Sequence, residues 1–522
     1  MNPRPLIACV SLIAGTLVAL SGTTAQAAPT RYEAESSSAL CTGTVDSDRT
    51  GFPGSGFCNG TNATGAYAQF TVTAPASGTA TLRIRFANGT TTARPAAVSV
   101  NGASAGTAAF GTTGAWSAWS TETLTVPVTA GSNTVRLAPT TSAGLPNVDH
   151  LDADVSSAAA GTVLYVSPSG TDSAAGTQSA PTTLTSAISR ITAGGTIYLR
   201  GGTYNYSSTV TIPAGKDGTS GGRTTLSAYP GETPVLNFSA QSESSSNRGI
   251  QLNANYWHLY GLTVEHAGDN GIYVGGSNNV VERTVTAYNR DTGLQLGRIA
   301  STTPSSQWPS NNLVVSSESH DNADSDGEDA DGFAAKLTTG TGNVFRYDVS
   351  HNNIDDGWDL FTKTDTGAIG PVTIEYSLSY NNGTLSDGSQ SGNGDRNGYK
   401  LGGDDIAVNH VVQHNIAYHN GHHGFTYNSN PGTMAVTGNA SIDNAQRNFS
   451  FDAGTSVFRG NTSCRFSVTG SNDKTVGDAD SSNQFWTGTN GSRCSSYSGA
   501  LGWSFASDGK LAVTFGGKVV TP

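Results

Sequence analysis

The stretch HNNIDDGWDLF at residues 351–361 sets Asp355, Asp356 and Asp359 around Gly357 and Trp358. Carboxylates this close repel by about 1 kcal/mol per pair even in water. Such a group either lies open to solvent or surrounds a cation. An all-oxygen donor set rich in aspartate suits calcium. Two further stretches carry reactive types at comparable positions: ADGFAAK (330–336) with Asp331, and RNGYKLGG (396–403) with Lys400. A lysine near carboxylates reads first as an ordinary ion pair of little energetic weight. Near a divalent cation it reads as a Brønsted base, because the positive field disfavours the ammonium form. The choice depends on whether the backbone brings these residues together.

Composition limits that backbone. Only 13% of the 522 residues are charged and 65 are glycine, and no long stretch keeps a 3.6-residue apolar period, so an all-β, turn-rich chain is expected. The formal charge of −12 argues against a nucleic-acid partner, which needs a basic face. Arg4, the apolar run Leu6–Leu20 and Ala25-Gln26-Ala27 form a secretory signal peptide over 1–27, and nothing later is apolar enough to span a bilayer. An exported monomer is the expectation. Once Cys9 leaves with the signal, the two close pairs Cys41/Cys58 and Cys464/Cys494 read as disulfides.

Residues 28–155 alternate in short segments such as AYAQFTV and TATLRIRFA, the pattern of a β-sandwich or jelly roll. A small-residue linker follows at 156–161. From 162 to 522 the chain repeats a plan in which a β segment ends in an aromatic or His plus Asn, then a turn, then Gly and an apolar residue. The recurring asparagines are read as Asn289, Asn322, Asn352, Asn381, Asn420 and Asn444. Variable spacing around a constant plan indicates a parallel β-helix whose coils stack and share one interior.

Alignment of the coils on Gly332, Gly357, Gly398 and Gly424 puts Phe333, Trp358, Tyr399 and Phe425 in one inward column. Ala335, Leu360, Leu401 and Tyr427 fall in a second, and the outward position between them reads Ala334, Asp359, Lys400, Thr426. Four carboxylates, Asp331, Asp355, Asp356 and Asp359, then converge near Lys400. A calcium ion with a basic amine suits β-elimination on a uronate polysaccharide: the metal binds the substrate carboxylate, and lysine takes the C5 proton.

In these three motifs, ADGFAAK, NNIDDGWDLF and RNGYKLGG, the chain resembles the family-9 polysaccharide lyases, pectate lyases on a right-handed parallel β-helix. The resemblance implies calcium ligands at Asp331, Asp355, Asp356 and Asp359, a catalytic base at Lys400, and polygalacturonate or pectin as substrate. The first domain, in RYEAES (31–36), RFANGT (85–90) and PNVDHLDADV (146–155), resembles the family-35 carbohydrate-binding modules related to family 6. That resemblance implies a structural metal at Glu33 and Glu35 and ligand contacts near Asn147 and Trp119, while Phe57-Cys58 departs from its pattern. Trp358 is expected in the core. The early acids of DNADSDGEDADG (321–332), ahead of Asp331, together with Asp404, Asp405 and the histidines near the Asn column, read as loop and turn residues. Alternatives are a lyase on another uronate polymer, a β-helix hydrolase with paired aspartates, and a non-catalytic binding solenoid.

Overall fold

The computed structural model describes residues 29–74, 78–129, 131–157 and 162–520. The expected signal peptide, 1–27, and linker residues 158–161 lie outside them. The chain divides into two compact units after Ser157, and the strand Asn147–Ser157 runs through the first two residues expected in the linker.

The first unit is a sandwich of a six-stranded and a five-stranded antiparallel sheet. Its central strands alternate: in Ala68–Ala74 the residues Ala68, Phe70, Val72 and Ala74 are buried and those between them are not. They meet Leu82, Ile84 and Phe86 of the facing sheet in one apolar core. The Cys41–Cys58 disulfide ties a strand of one sheet to a strand of the other.

The second unit is a right-handed parallel β-helix with sheets of twelve, ten and ten strands. Each coil buries its apolar side chains only by stacking on its neighbours. The expected inward column exists: Phe333 pairs with Trp358, Trp358 with Tyr399, and Tyr399 with Phe425. Their rings stack at 5.0, 4.9 and 4.6 Å, all fully buried. The short helix Leu184–Arg190, N-capped by Thr183, lays Leu184, Ala187 and Ile188 over the first coils.

The polar turns stack as well. The ladder runs Asn289, Asn322, Asn353, Asn382, Asn420, Asn444, each Nδ2 donating to the next Oδ1 at 2.7–3.0 Å. Two of the expected rungs are therefore displaced by one residue. Asn352 and Asn381 hold the preceding bend, at φ 54° and 55°. Both positions are asparagine in HNN and YNN, and asparagine tolerates the left-handed region better than most residues, so residue type alone could not tell bend from rung. A second ladder, unforeseen, runs Thr284, Ser317, Asp348, Ser377, Asn415, Asn439, Asn461 and Asn483.

The coils end earlier than the expected 522. The last strand of the first sheet is Asp478–Ala479, and Leu501–Phe505, Leu511–Phe515 and Lys518–Val520 form a small antiparallel sheet. Val513 and Phe515 pack on Leu378, Ile416 and Ala440 of the second helix sheet, beside the Cys464–Cys494 disulfide.

Candidate active site

The third helix sheet carries the chemistry. Its outward column pairs Ala334 with Asp359, Asp359 with Lys400, and Lys400 with Thr426, as the alignment on glycine requires. At the turn entering these strands, Asp331, Asp355 and Asp356 offer carboxylate oxygens all within 4.8 Å of one another. Asp359 stands outside that group of three. Its Oδ1 accepts the Phe361 N–H at 2.9 Å, and its Oδ2 lies 3.7 Å from the Lys400 ammonium.

Glycine makes the approach of these coils possible. A Cβ on Gly357 would stand 2.1 Å from Ser379 Oγ and 2.5 Å from the Gly398 carbonyl, so any side chain there would force the coils apart. Lys400 Nζ sits 2.9 Å from Asp395, 3.4 Å from Asp356 and 5.3 Å from the centre of the Phe361 ring. A second amine, Lys336, lies 2.7 Å from Asp331 and 3.6 Å from Asp359.

Five carboxylates thus face two ammonium groups, nearly all out of water. Burial, reinforced by their mutual charge, holds Asp355 and Asp356 well above the ordinary carboxylate range, and burial pushes Asp331 up to about 7. Burial alone would lower the Lys400 pKa, but the charges of Asp359, Asp356, Asp355 and Asp395 outweigh it and hold the amine protonated. Asp356 Oδ2 is buried and its partner is the Lys400 ammonium at ion-pair distance, 3.4 Å, with no shorter hydrogen bond. An acceptor-only cluster of close carboxylate oxygens with surplus negative charge fits a hard cation.

Lys336 and Asp395 were not anticipated. Lys336 was legible: two residues beyond Ala334 it must also point outward, above Phe361. Asp395 was not, because it comes from the long loop between Asn382 and Asn397, which has no counterpart in neighbouring coils. Trp358 is buried, as expected. His410 and His423 accept backbone N–H groups through Nδ1, and Asp404 and Asp405 are exposed bend residues.

In the sandwich, Glu33 groups with Asp149 and His150, while Glu35 accepts the Ser55 N–H at 2.8 Å. Both glutamates converge on Gly54, where a Cβ would lie 2.4 Å from Glu35 and 3.5 Å from Glu33. Glu33 Oε2 and Glu35 Oε2 are buried without hydrogen-bond partners, His150 Nδ1 standing 3.9 Å from Glu33 Oε2, so this second acidic set also fits a cation, with Asp149 as a member that pattern reading did not supply. Trp119 packs on Phe52 and Phe57 and gives its indole N–H to the Thr50 carbonyl. Asn147 is buried opposite Ala87, whose neighbour Phe86 pairs with Ser120, so Asn147 and Trp119 flank one end of that sheet.

The coiled parallel sheets and their acidic, lysine-bearing cleft define an enzyme of the polysaccharide-lyase class. The family model described as "Pel9A-like, right handed beta helix region" matches residues 164–461, and the chain belongs to that family. The model for "Carbohydrate binding module (family 6)" matches residues 33–154. The chain is 56% identical over 325 residues to "Pectate lyase L" of Paenibacillus polymyxa (strain SC2), covering 62% of this chain and 72% of that protein. It is 44% identical over 290 residues to "Pectate lyase L" of Thermoclostridium stercorarium, 55% of this chain but only 23% of that longer relative. The crystal structure of pectate lyase Pel9A superposes with a TM-score of 0.57 at 31% identity, over 67% of this chain and 86% of that one.

Proposed function

We propose that the chain is a secreted, calcium-dependent lyase that cleaves polygalacturonate by β-elimination, with Asp331, Asp355, Asp356 and Asp359 as the calcium-binding set and Lys400 as the base. The observation that carries this reading is the gathering of Asp331, Asp355 and Asp356 oxygens within 4.8 Å of one another, beside one amine that contacts Asp356, Asp359 and Asp395. Pectate is favoured as substrate by the names of the relatives. When bound, calcium would offset the carboxylates that hold Lys400 protonated, take the substrate carboxylate and acidify the hydrogen on C5. Lys400 Nζ accepts that proton; the C4–C5 double bond forms as the C4–O bond breaks, and the glycosidic oxygen leaves with the electron pair. Asp395 and the Phe361 ring fix the amine over the cleft. Residues 1–27 direct export, with cleavage after Ala27. The sandwich, with Glu33 and Glu35 holding a structural metal and Asn147 and Trp119 near its ligand, keeps the lyase on its polymer and raises the local substrate concentration.

The test is purified protein on polygalacturonate, followed by ultraviolet absorbance of the unsaturated product, with and without chelator. Lys400→Ala is expected to lose about 10²–10⁴-fold in turnover while keeping its melting temperature and its calcium titration. Saturated products that persist in chelator would indicate a hydrolase and remove this reading.

A further inference from the structure

A polar cavity of about 350 Å³ opens on the same outward face, toward the N-terminal end of the solenoid. Arg248, Asp269, Tyr273, Asp291, Gln295 and Arg298 line it. Tyr273 and Gln295 hold the outward column that continues through Ala334 to Asp359 and Lys400. At ~4.8 Å per coil, Gln295 lies ~14 Å and Tyr273 ~19 Å from Lys400 along the cleft. A ligand that fills both places spans several sugar units.

The cavity is built rather than incidental. The Arg248 guanidinium lies 3.4 Å over the Tyr273 ring and 3.2 Å from Asp269, which fixes its planar fork. Tyr273 OH donates to the Arg298 carbonyl at 3.0 Å, and the Arg298 N–H donates to Thr338 Oγ1 at 3.0 Å, so the Arg298 backbone is anchored from two sides. The Arg298 side chain makes no ion pair among the described residues. Arg248 is paired with Asp269, and burial, against the charge of Lys336 and with Asp269 alongside, pushes Asp291 up to about 7, so near neutrality the Arg298 charge is only partly offset. In a chain of charge −12 this is a local cationic pocket, and it faces the cleft.

We propose that this cavity is a calcium-independent subsite for a uronate unit of the extended chain, its carboxylate taken by Arg298 and Arg248 and its hydroxyls by Asp269, Asp291 and Gln295. The identity of the sugar rests on the lyase reading; the binding of an anion does not. The fork of Arg298 matches a carboxylate in two parallel hydrogen bonds, a geometry that lysine cannot supply.

The full chain is titrated calorimetrically in chelator with hexagalacturonate and with its fully methyl-esterified form. Only differences between wild type and variant are read, so binding by the sandwich, common to both, cancels. Arg298→Gln is expected to weaken hexagalacturonate binding about tenfold, or ~1.4 kcal/mol, and to leave the ester unaffected. Arg298→Lys should recover only part of the loss. Matching circular dichroism and melting curves establish that the variants are folded. Equal affinity of wild type and Arg298→Gln for the acid, or an equal loss for acid and ester, overturns the proposal. A calorimetric difference in chelator, with no ultraviolet-absorbing product from the wild type when calcium is restored, would remove the lyase reading and leave the subsite standing.

Discussion

Along the asparagine ladder, Asn322, Asn353, Asn382 and Asn420 stack one coil apart, and each amide accepts from one neighbour while donating to the next. Along the cleft, Asp331 and Asp356 stack one coil apart at an equally buried turn. The spacing is the same and the chemistry is opposite. An amide column satisfies itself, stays neutral and needs nothing from outside. A carboxylate column only accepts, so it must recruit amines, backbone N–H groups and a cation. The solenoid supplies the stacking in both places. Whether the stacked side chains can satisfy one another separates scaffold from site.

The comparison breaks most visibly if a cleft rung is given ladder chemistry. Asp356→Asn removes one buried charge and keeps the shape. Activity on polygalacturonate should fall by at least ~10²-fold, as loss of a metal-site interaction does. Without metal, the variant should melt no lower than the wild type, because the repulsion with the neighbouring buried carboxylates is relieved. Near-normal kcat/KM in Asp356→Asn would mean that the acidic column is not a metal site.

The complementary change removes a ladder rung far from the cleft. Asn439 accepts from both the backbone N–H and the Nδ2 of Asn415. Asn439→Ala leaves the Asn415 N–H buried without an acceptor, at a cost of roughly 2–3 kcal/mol. The melting temperature should drop by ~5 °C with turnover per folded molecule unchanged. Unchanged melting would show that the ladder contributes little.

How much of this was visible in the residues themselves follows the same division. The aromatic column and the outward Asp359–Lys400 pair were legible because strand alternation and coil alignment are both local rules. The rungs at Asn353 and Asn382 were missed by one position because asparagine also suits the bend before them. The second ladder was hidden because its rungs are chemically mixed: Ser317, Asp348, Ser377 and Asn415 are of three residue types and share only the ability to accept a backbone N–H. Asp395 and Asp149 reach their clusters through a loop insertion and a separate strand, and nothing in local spacing announces such contacts.

Two buried titratable residues that accept a backbone N–H, His410 outside both ladders and Asp348 within the second, sharpen the comparison with opposite signs. His410 is fully buried and accepts the Val372 N–H through Nδ1, so that nitrogen cannot carry a proton; burial pushes its pKa down to about 3. The folded-state value lies below the unfolded value of about 6.5. The unfolded chain therefore binds the extra proton, and stability is lost as pH falls from about 6.5 toward 3. At pH 5 the deficit is on the order of 2 kcal/mol. His410→Asn keeps an acceptor for Val372 and removes the titration, so it should flatten the acid side of the melting profile. His423, also pushed down to about 3, retains a share of the slope. A variant whose acid-side slope matches the wild type would show that His410 is not held neutral by its burial.

Asp348 is the other exception, an acid in a column of amides and hydroxyls. Its Oδ1 accepts the Ser317 N–H at 2.8 Å, whereas Oδ2 is buried with no partner. The rung at the same place in later coils, Asn415, sends its Nδ2 to the Ile374 carbonyl of the coil before. A protonated Asp348 imitates that amide, and burial accordingly raises its pKa well above the ordinary carboxylate value. Here the folded-state pKa exceeds the unfolded one, so the rung's contribution is complete below about pH 4 and is lost as pH rises through the folded value. Asp348→Asn supplies the donor permanently. At pH 7 the variant should be more stable by about 1 kcal/mol, or ~2 °C in melting temperature, and the gain should vanish near pH 3, where the wild-type acid is protonated in both states. Loss of stability at pH 7 instead would mean that Asp348 is ionised and held by a cation, which would make this rung resemble the cleft rather than the ladder.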